Sequence, residues 1–137
     1  MNKARRKMIS DAQAVATRAK EALQGALDKL ESGTPWADVL KESGFRVALD
    51  DASDVAGEFS SAGEEEQEYH DNMPEGLQSG EKGAAAEEQA QELERRSSGI
   101  EDALSGEPAE DADVEIAKTW LSPLIAALEE AEEHDAG

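Results

Sequence analysis

The chain contains no cysteine, which excludes disulfides, thiolate metal sites and a cysteine nucleophile. Aromatic residues are nearly missing too: Trp36, Phe45, Phe59, Tyr69 and Trp120 are the only five in 137 residues. A core built with so few rings is thin and rests on Ala and Leu, and it argues against a deep apolar pocket. No apolar run approaches the ~20 residues that span a bilayer. No apolar signal-peptide core follows the basic start MNKARRKM, so a cytoplasmic location is expected.

Positive charge is the next scarcity. Thirteen Lys/Arg stand against 33 Asp/Glu, a formal net charge of -20. Such a surface is repelled by nucleic acid and by anionic lipid, so no direct binding to either is expected. The few cations are unevenly placed. Residues 1–49 carry nine Lys/Arg and six Asp/Glu, whereas residues 50–137 carry four Lys/Arg and 27 Asp/Glu. A general adaptation to high salt acidifies a whole surface, and this chain leaves its first third basic.

What is present reads as helix. Residues 3–31 place Met8, Ala12, Val15, Ala19, Leu23, Ala26 and Leu30 at three- and four-residue steps, with Gly33 just beyond the end. This face is rich in Ala, which suits close helix–helix packing and a possible homodimer. In SGTPWADVLKESGF, Thr34 can cap, Pro35 suits the first helical position and Gly44 can end a second helix. FRVAL, residues 45–49, is the single strand-like stretch; with nothing to pair with, it predicts an extended segment or turn. DDASDVAGEFSS predicts a short helix or loop. Residues 63–72 predict an acidic helix stopped before Pro74, and Leu77 in the following turn is the expected core anchor. Residues 81–104 predict a helix with Ala85, Leu93, Ile100 and Leu104 inside. SGEPAEDAD is a linker. The last helix, from about Val114 to about Glu132, has Ile116, Trp120, Leu121, Leu124 and Leu128 inside, with Pro123 able to kink or restart it. The tail, about 130–137, is expected to fray. The fold class is therefore all-α: one domain over residues 1–137, a small bundle of four or five helices with irregular loops.

Specific chemistry is poorly provided for. Glu66 and His70 are one helical turn apart, but a metal needs three or four convergent ligands, and Gln67 occupies the position where a Glu-x-x-His pair needs its Glu. DDASDVAGEF lacks the ligand spacing of a calcium loop. No phosphate-cradling glycine loop follows a strand, and no G-x-S-x-G turn occurs. No enzyme activity, metal or cofactor is expected. The cluster Lys3, Arg5, Arg6 and Lys7 could meet phosphate, but beside so acidic a segment it reads better as an internal complement to acidic neighbours.

The acids themselves form the informative pattern. Folded into three helical passes, residues 50–137 give passes of roughly 44 Å at ~1.5 Å per residue. Their 27 carboxylates then fall one per ~1.6 Å, against one per ~1.7 Å along duplex DNA. A surface like that attracts the basic clefts of DNA-binding proteins, with salt-sensitive affinity.

The order NKARRK, then EEEQEYHDNMPEGLQSGEKG, then an acidic helix resembles a group of small acidic helical bacteriophage proteins. The shared segment follows the pattern E-E-Q-E-x-x-D-N-[LM]-P-E-x-L-Q. The likeness covers residues 2–8 and about 64–104, leaving 33–60 and the last ~30 residues as additions. The group brings no established activity, but the resemblance implies a phage setting in a host cytoplasm, where acidic DNA mimics act against host nucleases. The expectation is a DNA mimic that inhibits a host DNA-binding defence protein, such as a restriction or CRISPR nuclease. Its partner carries a basic surface and meets Glu64, Glu65, Glu66, Glu68, Asp71, Glu87, Glu88, Glu92 and Glu94. The alternative is a virion scaffold or assembly chaperone that binds phage structural proteins.

Overall fold

The computed structural model describes residues 1–136. Six helices and no strand occur among them: α1 Lys3–Glu31, α2 Trp36–Leu40, α3 Ser43–Asp71, α4 Glu75–Gln78, α5 Glu81–Leu104 and α6 Val114–Glu132. The all-α expectation holds, with two very short helices added to the four long ones. Asn2 starts α1 by accepting the Arg5 backbone N–H at 2.8 Å, and Asp113 starts α6 by accepting that of Glu115 at 2.9 Å.

The four long helices run up, down, up, down. Each packs on two neighbours in the closed order α1–α3–α5–α6. Twelve of the 26 buried apolar residues are Ala, which lets the axes draw close. On α1 the buried line is Ile9, Ala12, Ala16, Ala19, Leu23, Ala26 and Leu30. Met8 and Val15, expected inside, are only partly buried, because the line points between two neighbours, α3 and α6.

The largest departure is α3. FRVAL and DDASDVAGEFSS are neither strand nor loop but the first two-thirds of one 29-residue helix. Phe45, Ala48, Leu49, Ala52, Val55, Ala56, Phe59 and Ala62 recur at three- and four-residue steps and are all buried. That continuous stripe overrides the local propensities. Gly44 does not end α2, which stops at Leu40; it lies in the first turn of α3. Pro123 does not interrupt α6. It sits on an exposed position, so the lost backbone donor falls on the solvent side.

Three expected core residues are outside. Leu77 is 60 % exposed and Ile116 57 %, and Ala85 is exposed as well. α4 stands off the bundle end, and the buried line of α6 runs instead through Ala117, Leu121, Leu124, Leu128 and Ala131.

Residues 105–113 are pinned by indoles. Trp36 Nε1 donates to the Pro108 carbonyl at 3.3 Å and Trp120 Nε1 to that of Ser105 at 3.1 Å. The two rings meet edge-on, 6.2 Å apart. Residues 130–136, the expected frayed tail, are placed against α1. Lys20 Nζ reaches Glu132 at 2.8 Å, and Gln13 Nε2 donates to the carbonyls of Ala131 and His134. The His134 ring is buried 5.8 Å from Phe59. Polar groups on α1 thus satisfy carbonyls at the end of α6. Gly137, the last residue of the expected tail, lies outside the described residues.

Candidate functional site

The cations of the basic first third are mostly paired with acids, chiefly at the surface. Of its nine cations, Arg5, Arg18, Lys20, Lys41 and Arg46 pair with Glu66, Asp51, Glu132, Glu110 and Glu107 in the acidic part. Lys7 and Lys29 pair locally with Asp11 and Glu42. Lys3 and Arg6 make no ion pair among the described residues. The internal-complement reading of NKARRK therefore fits Arg5 best. Its Nε donates to Glu66 Oε1 at 2.6 Å, and its guanidinium lies 5.6 Å from the Tyr69 ring centre.

Glu66 corrects the expected partner-binding set. It has no exposed surface, because it continues the buried stripe of Phe59, Ala62 and Gly63 by one more turn. It cannot meet a partner. Nor does it converge with His70, whose ring lies 3.3 Å from Asp71 and 3.7 Å from Glu87.

The other eight residues reach the surface, though not on one face. Glu64 and Glu94 line the groove where α3 and α5 meet, a cleft of ≈ 470 Å³. His70 joins Asp71 to Glu87 across the same two helices. Glu65 and Glu68 lie on the outward side of α3, at least 120° from its buried line at 100° per residue. Glu88 and Glu92 turn the other way, into a cavity of ≈ 860 Å³ shared with Arg6, Lys82 and Arg96. Glu92 is neutralised there by Arg95 at 2.7 Å and Arg96 at 3.2 Å.

Gly63 sets the spacing of the α3/α5 groove. A Cβ there would come 3.0 Å from Glu94 Oε1 and 3.3 Å from the Ala90 carbonyl. The absent side chain brings the acidic rows of the two helices together. Exposed acids outside the expected set extend the α3 row: Asp50, Asp54 and Glu58. Their four-residue spacing was the sequence signal for them.

In all, seven exposed acids lie on α3 and six on α5. Over the ~43 Å of a 29-residue helix that is one per ~3.3 Å, close to a single DNA strand at ~3.4 Å and half the duplex value. The sequence count gave about twice that density chiefly because it took in eleven acids outside α3 and α5, besides the buried or half-buried Asp51, Glu66 and Glu92. Asp71 is held charged: the Gln67 amide and then His70 push its pKa below the ordinary value.

Among the described residues no group of three His, Asp or Glu is placed to hold a metal ion, and no helix is long and apolar enough to cross a membrane. Compared with protein families, characterised proteins and solved structures, the chain matches none.

Proposed function

We propose that the protein is a DNA mimic, which binds a basic DNA-binding surface on another protein and blocks access of nucleic acid to it. A host defence nuclease of the restriction or CRISPR type is the partner class that the phage-like segment suggests. One observation carries the reading. Taken together over all their sides, α3 and α5 carry exposed carboxylates at the mean axial spacing of a DNA strand, while most cations of the basic segment are already engaged with acids of the chain. Among the described residues, Arg46, Lys82 and Arg95 are the exposed Lys and Arg side chains on these two helices. The interaction gains its rate from long-range steering and weakens as salt screens it.

The test is competition for DNA. A labelled duplex bound to a restriction endonuclease or a CRISPR effector is titrated with the protein at low salt. Displacement is expected, weakening by at least about tenfold when Glu64, Glu68, Glu87 and Glu94 become Gln and Asp71 becomes Asn. Unchanged DNA binding across both nuclease classes, or displacement indifferent to these changes, rejects the mimic. Salt-insensitive association with capsid or tail proteins instead points to the scaffold or chaperone role.

A further inference from the structure

The corner between α3 and α5 exposes the leucine that sequence patterning places in the core. Leu77 is 60 % exposed and Tyr69 43 %. With Met73 and Pro74 they line a cleft of ≈ 550 Å³. Clustered apolar side chains left in water mark an interaction site more often than they mark nothing.

The exposure is built in. Gln78 Nε2 donates to the carbonyls of Asp71 at 3.2 Å and Met73 at 3.1 Å, and the Leu77 N–H to that of Pro74 at 2.8 Å. Gly83 lets the first turn of α5 press against the same corner: a Cβ there would fall 2.1 Å from the Gln78 carbonyl oxygen. The backbone is fixed from both sides and holds Leu77 outward.

The chain on either side of the cleft is mostly acidic. Glu81 and Lys82 line the cleft, and the exposed acids Glu68, Asp71 and Glu75 are chain neighbours of its lining residues Tyr69, Asn72 and Pro74. An apolar centre inside a charged rim is the anatomy of a protein interface, with the centre supplying most of the affinity. Charge complementarity then selects the occupant. We propose that this cleft receives an aliphatic or aromatic side chain flanked by Lys or Arg on the partner protein. This inference rests on the acidic-interface reading and adds an anchor to it. Because the corner is already rigid, little ordering opposes binding.

The test uses the full chain and two short synthetic peptides of equal charge: Lys-Lys-Arg-Leu-Phe-Arg-Lys-Lys, and the same peptide with Ser-Ser for Leu-Phe. Calorimetry and amide chemical shifts are followed at low and near-physiological salt. The apolar peptide is expected to bind about tenfold tighter, with its largest shifts in residues 69–83. Leu77→Ser is expected to abolish that advantage without altering the circular dichroism. Equal affinity of the two peptides, or an advantage that survives Leu77→Ser, overturns the anchor and leaves the acidic face standing. Binding of neither peptide overturns both. Apolar-peptide binding that ignores salt overturns the basic character of the partner. Concentration-dependent self-association that Leu77→Ser removes would assign the cleft to a second copy of the chain and overturn the proposal.

Discussion

Glu66 is the carboxylate this acidic protein hides. Its Oε1 is held by Arg5, and its Oε2 has no hydrogen-bond partner among the described residues. Removing the guanidinium would leave a buried charge uncompensated, so Arg5→Ala is expected to cost about 3 kcal/mol or more in urea unfolding. Glu66→Gln, which removes the charge and keeps the shape, should cost clearly less. The reverse order would show that the pair does not work this way. The role of Glu66 was hard to read because it stands in a run of three glutamates. Only its helical phase relative to Phe59 and Ala62 separates it from its exposed neighbours. His134 is the second hidden group. Burial, followed by the charge of Arg96, holds its pKa below 6.5, opposed by Glu92 and Asp135. A base with a depressed folded pKa favours the neutral ring in the native state. Its contribution is complete above the unfolded pKa of ~6.5 and is lost as pH falls through the folded value. Urea midpoints at about pH 7.5 and about pH 5.5 should therefore differ more for the native chain than for His134→Gln. Equal differences in the two proteins would remove His134 as the cause.

At the scale of elements, glycine separates two kinds of position. Gly25, Gly57 and Gly99 lie inside long helices, and an added Cβ would meet nothing within 4 Å. Replacing each with Ala should stabilise by about 0.5–1 kcal/mol, read as a higher thermal midpoint. Gly83→Ala should do the opposite, costing about 2 kcal/mol or more, since its Cβ would strike backbone at the α4 turn. If Gly83→Ala were neutral, the tight corner described above would not exist. Helices α1, α5 and α6 were legible because each has one apolar period bounded by turn residues. α3 was not, because its glycines resembled punctuation and FRVAL resembled a strand. A buried stripe shared with two neighbours decided the outcome, and local propensity carries no trace of that. Leu77 misled for a related reason: a leucine in a turn usually points inward, and here the backbone of the corner turns it out.

For the whole molecule, the net charge of -20 opposes compaction. Raising salt from about 0.05 to about 0.5 M should increase the melting temperature, because screening relieves repulsion among exposed acids more than it weakens the buried Arg5–Glu66 pair. A falling melting temperature would mean that the semi-exposed pairs between the basic and acidic parts dominate stability. The sequence made the charge division plain, but not how much of it cancels inside the bundle, since pairing depends on which helices become neighbours. The pinned 105–113 connection has an optical consequence. Both tryptophans lie at that end of the bundle, hydrogen-bonded to the same connection, while the single tyrosine lies at the opposite end beside Leu77. Indole emission is thus a built-in reporter of whether that connection is fastened. It will stay dark to events at the Leu77 corner, where a probe placed at Tyr69 or an exchangeable amide must be watched instead.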